Sequence, residues 1–338
     1  MTSKLKNLLC WQYVVGFLLV WAMLTAVNLH WLIDNWYQYS FNQNVSLDLL
    51  GRIFAIDYLK DPAYFFVQAV LTGWLSFNVF FGVLIFACLS LKFSALLQVS
   101  PRPGILDVAP YLLVLGFLHE GIQMRIAIAL SIAIWSLIFF VKNQRVLAAI
   151  VLVVASTFHI SVSTFFIVFI SIFLYERFGK ILLLIGAIFT LVVAYTTFGH
   201  DLFMHLGTAT NARFLNYPKE QNSTGLFQYF VFFNILLTGF VYYYFKPKSA
   251  VWETLYCLAL SSGLMAIAIL QILRFSVVTS SRLAELLSLP VLLVLGATLS
   301  QLKNEKKYWP LVLMMIALFF YCALRGYVSF SQPHLPIL

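Results

Sequence analysis

Three arginines stand out by type and position. Arg125, Arg274 and Arg282 each border an apolar run. A guanidinium is planar, always charged and able to hold a phosphate at two points. That chemistry suits an anionic ligand such as a lipid phosphate or diphosphate. The plainer alternatives are snorkelling at a helix end, or pairing with Glu120 or Glu285. His159 lies within an apolar run, flanked by Ser156, Thr157, Ser161 and Ser163. Histidine is the usual general acid or base near neutral pH, although a lone one is often a packed core residue. Glu120 stands five residues before Arg125. It is the second candidate base, or a local ion-pair partner. In the segment Asp34-Asn35-Trp36-Tyr37-Gln38-Tyr39, rings alternate with polar groups. That pattern suits sugar faces and the membrane interface equally. Asp34 and Tyr37 are candidate glycan contacts, as are Arg213 and Tyr217 in a second polar segment.

Other chemistries are disfavoured. The chain has no Gly-rich phosphate loop, no GxSxG elbow and no HExxH. Cys10, Cys88, Cys257 and Cys322 each sit in an apolar stretch, without metal-ligand spacing. No metal and no cofactor is expected.

The elements that must carry these residues are membrane spans. Of 338 residues, 62% are hydrophobic and 10% charged. Soluble chains run at about 45–50% and about 25%. Mean hydropathy is +0.93. A soluble enzyme, a nucleic-acid module and a disordered scaffold are excluded. A span takes about 20 apolar residues, so the chain has room for about 11. The expected fold is all-α: one polytopic membrane domain over residues 1–338, with outer loops at about 28–63 and 199–225. The net charge of +9 then reads as topology. Lys and Arg mark cytoplasmic ends, so no nucleic-acid partner is implied.

The first helix is expected at about 8–27, its basic N-terminal flank inside. A second element, about 64–91, is long for one span, and its first part is expected along the interface. Lys92 and Arg102 set the next connection inside. Spans follow at about 104–118 and from Arg125 to Val141, with Glu120 in the outer turn between them. The apolar run from Val146 to Tyr175 has basic flanks at both ends: Arg145 before, Arg177 and Lys180 after. As one helix it would be about 45 Å long, against a hydrocarbon core of about 30 Å. Two short legs explain the flanks better, with both ends cytoplasmic and a turn at Ser156 to Ser161. Polar backbone at that depth is tolerated only where it lines a cavity or is buried in protein. His159 is therefore expected at the tip of a hairpin. Spans at about 181–198, 226–245, 251–272, from Arg282 to Leu302, and 308–324 complete the map. The N-terminus is inside and the C-terminus outside. The inner basic residues are mostly Lys. The outer ones are mostly Arg: Arg52, Arg125, Arg213, Arg274, Arg282 and Arg325, with Lys60 and Lys219.

In order and spacing, the motifs resemble the EpsG-like branch of the Wzy polysaccharide polymerases. Asp34 to Tyr39 matches an aspartate-tyrosine outer segment, and Asp61-Pro62-Ala63-Tyr64-Phe65-Phe66 an acidic-Pro opening. Arg125-Ile126-Ala127-Ile128-Ala129 matches an Arg-start helix. Lys142 through His159-Ile160-Ser161 matches a charge-bounded hairpin, and Arg282-Leu283-Ala284-Glu285, with Pro290 beyond, a late Arg-Leu motif. One departure is that Gln123 precedes Arg125, whereas family members often carry Gln directly after the arginine.

The resemblance implies a GT-C-like fold in the bacterial inner membrane, with the active site facing outward. It implies glycosyl transfer between oligosaccharide repeat units linked to undecaprenyl diphosphate. The arginines would hold the leaving diphosphate without a metal, and His159 or Glu120 would take the acceptor proton. Besides these lipid-linked oligosaccharides and the bilayer, the candidate partners are a chain-length regulator and a flippase of the same pathway. The competing class is a flippase or transporter of the same kind of anionic lipid. Such a protein should show basic residues along the cavity depth and related halves. Here the Arg residues map to the outer side, and no internal repeat is visible.

Overall fold

Long apolar runs with few breakers dictate helices, and a bilayer tolerates little else in a spanning segment. The computed structural model describes residues 16–23, 25, 41–42, 47–54, 61–99, 104–116, 123–178, 224–273 and 277–331. Among them no strand occurs. The helices are α1 (Leu49–Phe54), α2 (Pro62–Leu71), α3 (Phe77–Val99), α4 (Ile105–Tyr111), α5 (Met124–Val141), α6 (Arg145–Phe158), α7 (Thr164–Phe178), α8 (Thr224–Tyr244), α9 (Ala250–Ile272), α10 (Val277–Asn304) and α11 (Tyr308–Ser331). Four segments are long and apolar enough to cross a membrane: Phe77–Val99, Met124–Val141, Ala250–Ile272 and Ser280–Asn304. Their 18 to 25 residues span about 27–38 Å, which matches a hydrocarbon core of about 30 Å. Shorter apolar helices accompany them. This is a membrane protein, all-helical among the described residues. The expected span at about 181–198 lies outside the described residues, as does nearly all of the second outer loop.

The chain falls into two compact units. The first is Met1–Arg102 with Leu115–Ser163. Within it, α3 packs on α5, α5 on α6, and α2 on both α1 and α6. Phe41, Tyr64, Phe80, Phe81, Ile85 and Met124 anchor its core. Ser136 Oγ on α5 donates to the Ala148 carbonyl on α6 at 2.6 Å, which satisfies a hydroxyl where water is absent. The described part of the first helix joins α3 through Trp21 Nε1, which donates to the Gly82 carbonyl at 2.9 Å.

The second unit is Pro103–Val114 with Thr164–Leu338. Helix α10 is its centre, against α4, α7, α8, α9 and α11. Small residues allow the close approach, as is usual between membrane helices. A Cβ at Gly263 of α9 would collide with Thr238 of α8, and one at Gly296 of α10 would collide with the Asp107 backbone of α4. Hydroxyls then bond across the seams: Ser262 to the Leu287 carbonyl, and Ser288 to Asn234 Oδ1 at 2.9 Å. Near the ends of α8 and α10, Tyr242, Tyr243, Tyr308 and Trp309 are exposed beside Lys246, Lys248, Lys303, Lys306 and Lys307. Exposed Tyr and Trp beside Lys is the composition of a membrane–water interface.

Several boundaries differ from the sequence reading. The element expected at about 64–91 is two helices. The Thr72 hydroxyl bonds back to the Gln68 carbonyl at 2.6 Å, and Thr72 to Ser76 break the run. Helix α3 then continues to Val99, so Lys92 is not in a connection. It is buried, and its Nζ donates to the Ala127 carbonyl at 3.2 Å. A four-carbon stem lets a lysine lie along apolar surface in this way. Helix α10 starts at Val277, so Arg282 lies inside it rather than at its start. Helix α11 runs past Leu324 to Ser331. The run from Val146 to Tyr175 breaks at the expected place: α6 has 14 residues, α7 has 15, and a 3-10 turn, Ile160–Ser163, follows His159.

Candidate functional site

Three elements of the first unit meet around one carboxylate. Pro62 opens α2, as a missing N–H costs nothing at the first helical position. Asp61, just before it, is left-handed at φ 48° and ψ 51°. That backbone costs an L-residue roughly 1–2 kcal/mol, with Asp among the residues that visit it occasionally. An aspartate at this position normally caps the helix with its side chain. Asp61 makes no such bond. Its side chain, 6% exposed, turns instead to α5 and to the turn after α6.

Arg125, in the first turn of α5, donates from Nη1 to Asp61 Oδ2 at 2.6 Å. His159 ends α6, and its Nδ1 lies 3.1 and 3.2 Å from the two Asp61 oxygens. The backbone N–H of Ile160 also donates to Asp61. On the other side of the ring, Ser161 Oγ lies 3.3 Å from Nε2. Residues 64 and 98 positions apart from Asp61 are thus joined through it. Arg125 and His159 are 26% and 19% exposed at their side chains, so the cluster is only partly buried.

Asp61 lies in the link before α2, outside the spanning segments. Burial alone would push its carboxyl up. The hydrogen bond from His159, the attraction of His159 and Arg125, and the Ile160 N–H together hold it below the usual carboxylate range. An ionised carboxylate only accepts hydrogen bonds. The hydrogen between it and His159 therefore sits on Nδ1, and Nε2 of the neutral ring is an acceptor. The chemical capacity is that of an oriented base beside a cation.

Of the residues singled out by sequence, Arg125 and His159 come together here. Arg282 is in the second unit, on α10, three residues before the buried Glu285. Glu120, Arg274, Asp34, Tyr37, Arg213 and Tyr217 lie outside the described residues. Arg52, one of the arginines expected on the outer side, has a structural task. It donates to the Leu47 and Ala69 carbonyls, the latter in the last turn of α2. Asp61 is the site residue that sequence reasoning missed. Its one visible cue was an acid directly before Pro62, which reads as a helix start.

A family model described as the EpsG family matches residues 8–336. The chain belongs to the EpsG family. The match takes in Asp61, Arg125 and His159 and both units. EpsG membership together with the apolar helices makes this a membrane protein of polysaccharide-polymerase type. No curated protein and no solved structure matches the chain.

Proposed function

We propose that the protein is a membrane glycosyltransferase that joins lipid-linked oligosaccharide repeat units. The donor is a glycan on undecaprenyl diphosphate, and the acceptor is a repeat unit on the same carrier. The transfer takes place at the outer face of the inner membrane. An acceptor hydroxyl attacks the anomeric carbon of the donor. The new glycosidic C–O bond forms, the bond to the diphosphate oxygen breaks, and the hydroxyl proton goes to His159 Nε2. Arg125 offsets the charge on the leaving diphosphate, so no metal is required. Asp34, Tyr37, Arg213 and Tyr217 contact the glycan.

The observation that carries this reading is the oriented imidazole beside a part-exposed arginine. Glycosyl transfer needs a proton acceptor and a cation for the leaving group. A flippase needs the cation but has no use for a base.

Purified protein in liposomes, supplied with lipid-linked repeat units and EDTA, separates the readings. Chain elongation that survives chelation is the expected result. Translocation without elongation would establish the flippase instead.

A further inference from the structure

Asp61 departs from an ordinary helix-cap aspartate in two independent ways. Its backbone is left-handed. Its carboxylate leaves its own helix uncapped and is buried against Arg125 of α5 and His159 after α6. A strained residue persists where surrounding contacts over-determine it, and such residues gather at functional sites.

We propose that Asp61 is the positioning residue of the His159 base. Its carboxylate fixes the ring with Nδ1 as donor and Nε2 as proton acceptor, and Arg125 holds the carboxylate in place. The inference rests on His159 acting as the base in glycosyl transfer. Either nitrogen of a neutral imidazole can carry the hydrogen, and the hydrogen bond on one side decides which. Here the decision belongs to an acceptor that lies within 3.2 Å of Nδ1 through both of its oxygens. The ring's opposite nitrogen meets a hydroxyl, Ser161 Oγ, at 3.3 Å. That is the kind of group whose proton must be taken. When Nε2 accepts it, the ring carries its positive charge next to the fixed negative charge of Asp61. The charged groups that share the cluster with His159 are Asp61, from the link before α2, and Arg125, from α5, each joined to the other through the Asp61 carboxylate. Ser161, in the turn itself, stays neutral.

The test uses the full chain in liposomes and follows elongation across pH. Asp61→Asn should lower kcat by about 10²-fold or more, within the 10²–10⁴-fold that a positioned base contributes. KM for the donor should change far less. The acidic limb of the rate profile should move to lower pH, because the imidazolium loses its counter-charge. Asp61→Glu keeps a carboxylate and should restore part of the rate and the position of the limb. A variant whose limb stays in place overturns the proposal, as a role confined to holding the loop would not move it. Nitrogen NMR of histidine-labelled wild-type protein, with His159→Ala as the difference control, gives an answer even if Asp61→Asn fails to fold. The neutral ring should carry its hydrogen on Nδ1, and finding it on Nε2 overturns the proposal. Wild-type protein that elongates nothing would instead refute the glycosyltransferase reading and leave the tautomer result standing.

Discussion

One buried carboxylate serving two partners makes the residue scale testable through Arg125 as well as His159. Lysine keeps the charge but loses the planar fork that suits phosphate. Arg125→Lys should therefore lose most polymer while the protein still inserts. Polymer at the wild-type level would remove Arg125 from the site. Arg125→Ala strips a partner from a buried carboxylate and should cost about 1–3 kcal/mol in detergent unfolding. Acid should act on the same pair. The Asp61 carboxyl is depressed in the folded protein, so its contribution is fully present above the unfolded value of about 3.9. It is lost as pH falls through the lower folded value. The gap in unfolding free energy between wild type and Asp61→Asn should shrink as pH falls below about 4. Sequence made Arg125 and His159 legible because a cation at a span end and a polar residue in an apolar run are conspicuous. Asp61 was hidden because its partners are distant in the chain. Proximity pointed to Glu120, which lies outside the described residues, and gave no sign that Arg125 pairs with Asp61.

At the scale of elements, helices with sharp chemical borders were legible and those without were not. Helix α5 ends at Val141, just before Lys142-Asn143-Gln144-Arg145, and α9 begins beside Ser249, whose hydroxyl accepts from the Trp252 N–H. Both match the expected ranges closely. Helix α3 overran its expected end because Lys92, which reads as a border, is buried along the helix. The approach of α10 to α4 was invisible in sequence, as a lone Gly296 does not announce which backbone it meets. A methyl there would overlap the Asp107 backbone, which cannot move like a side chain. Gly296→Ala should destabilise by about 1–3 kcal/mol. Gly239→Ala on α8 meets nothing within 4 Å and should be neutral or slightly stabilising, since alanine is the better helix former. Thermal unfolding in detergent compares the two. Equal stability of the two variants would show that α10 and α4 do not pack so closely.

For the whole molecule, composition alone made the membrane class legible, because 62% hydrophobic residues leave no soluble alternative. Orientation and the full number of spans belong to the proposed map, which places Gln144 and Arg177 on the same inner side. Cysteines at the two positions should label from the cytoplasm only. Labelling from opposite sides would contradict the two-legged reading of α6 and α7. The proposed reaction stands on His159 taking the acceptor proton in a glycosyl transfer. Its most direct test is elongation by purified His159→Ala, measured beside Glu120→Gln and with donor binding followed in parallel. His159→Ala should bind the lipid-linked donor but lose elongation by about 10²–10⁴-fold, while Glu120→Gln keeps partial activity. Near-normal elongation by His159→Ala, with loss in Glu120→Gln, would contradict it and transfer the base to Glu120.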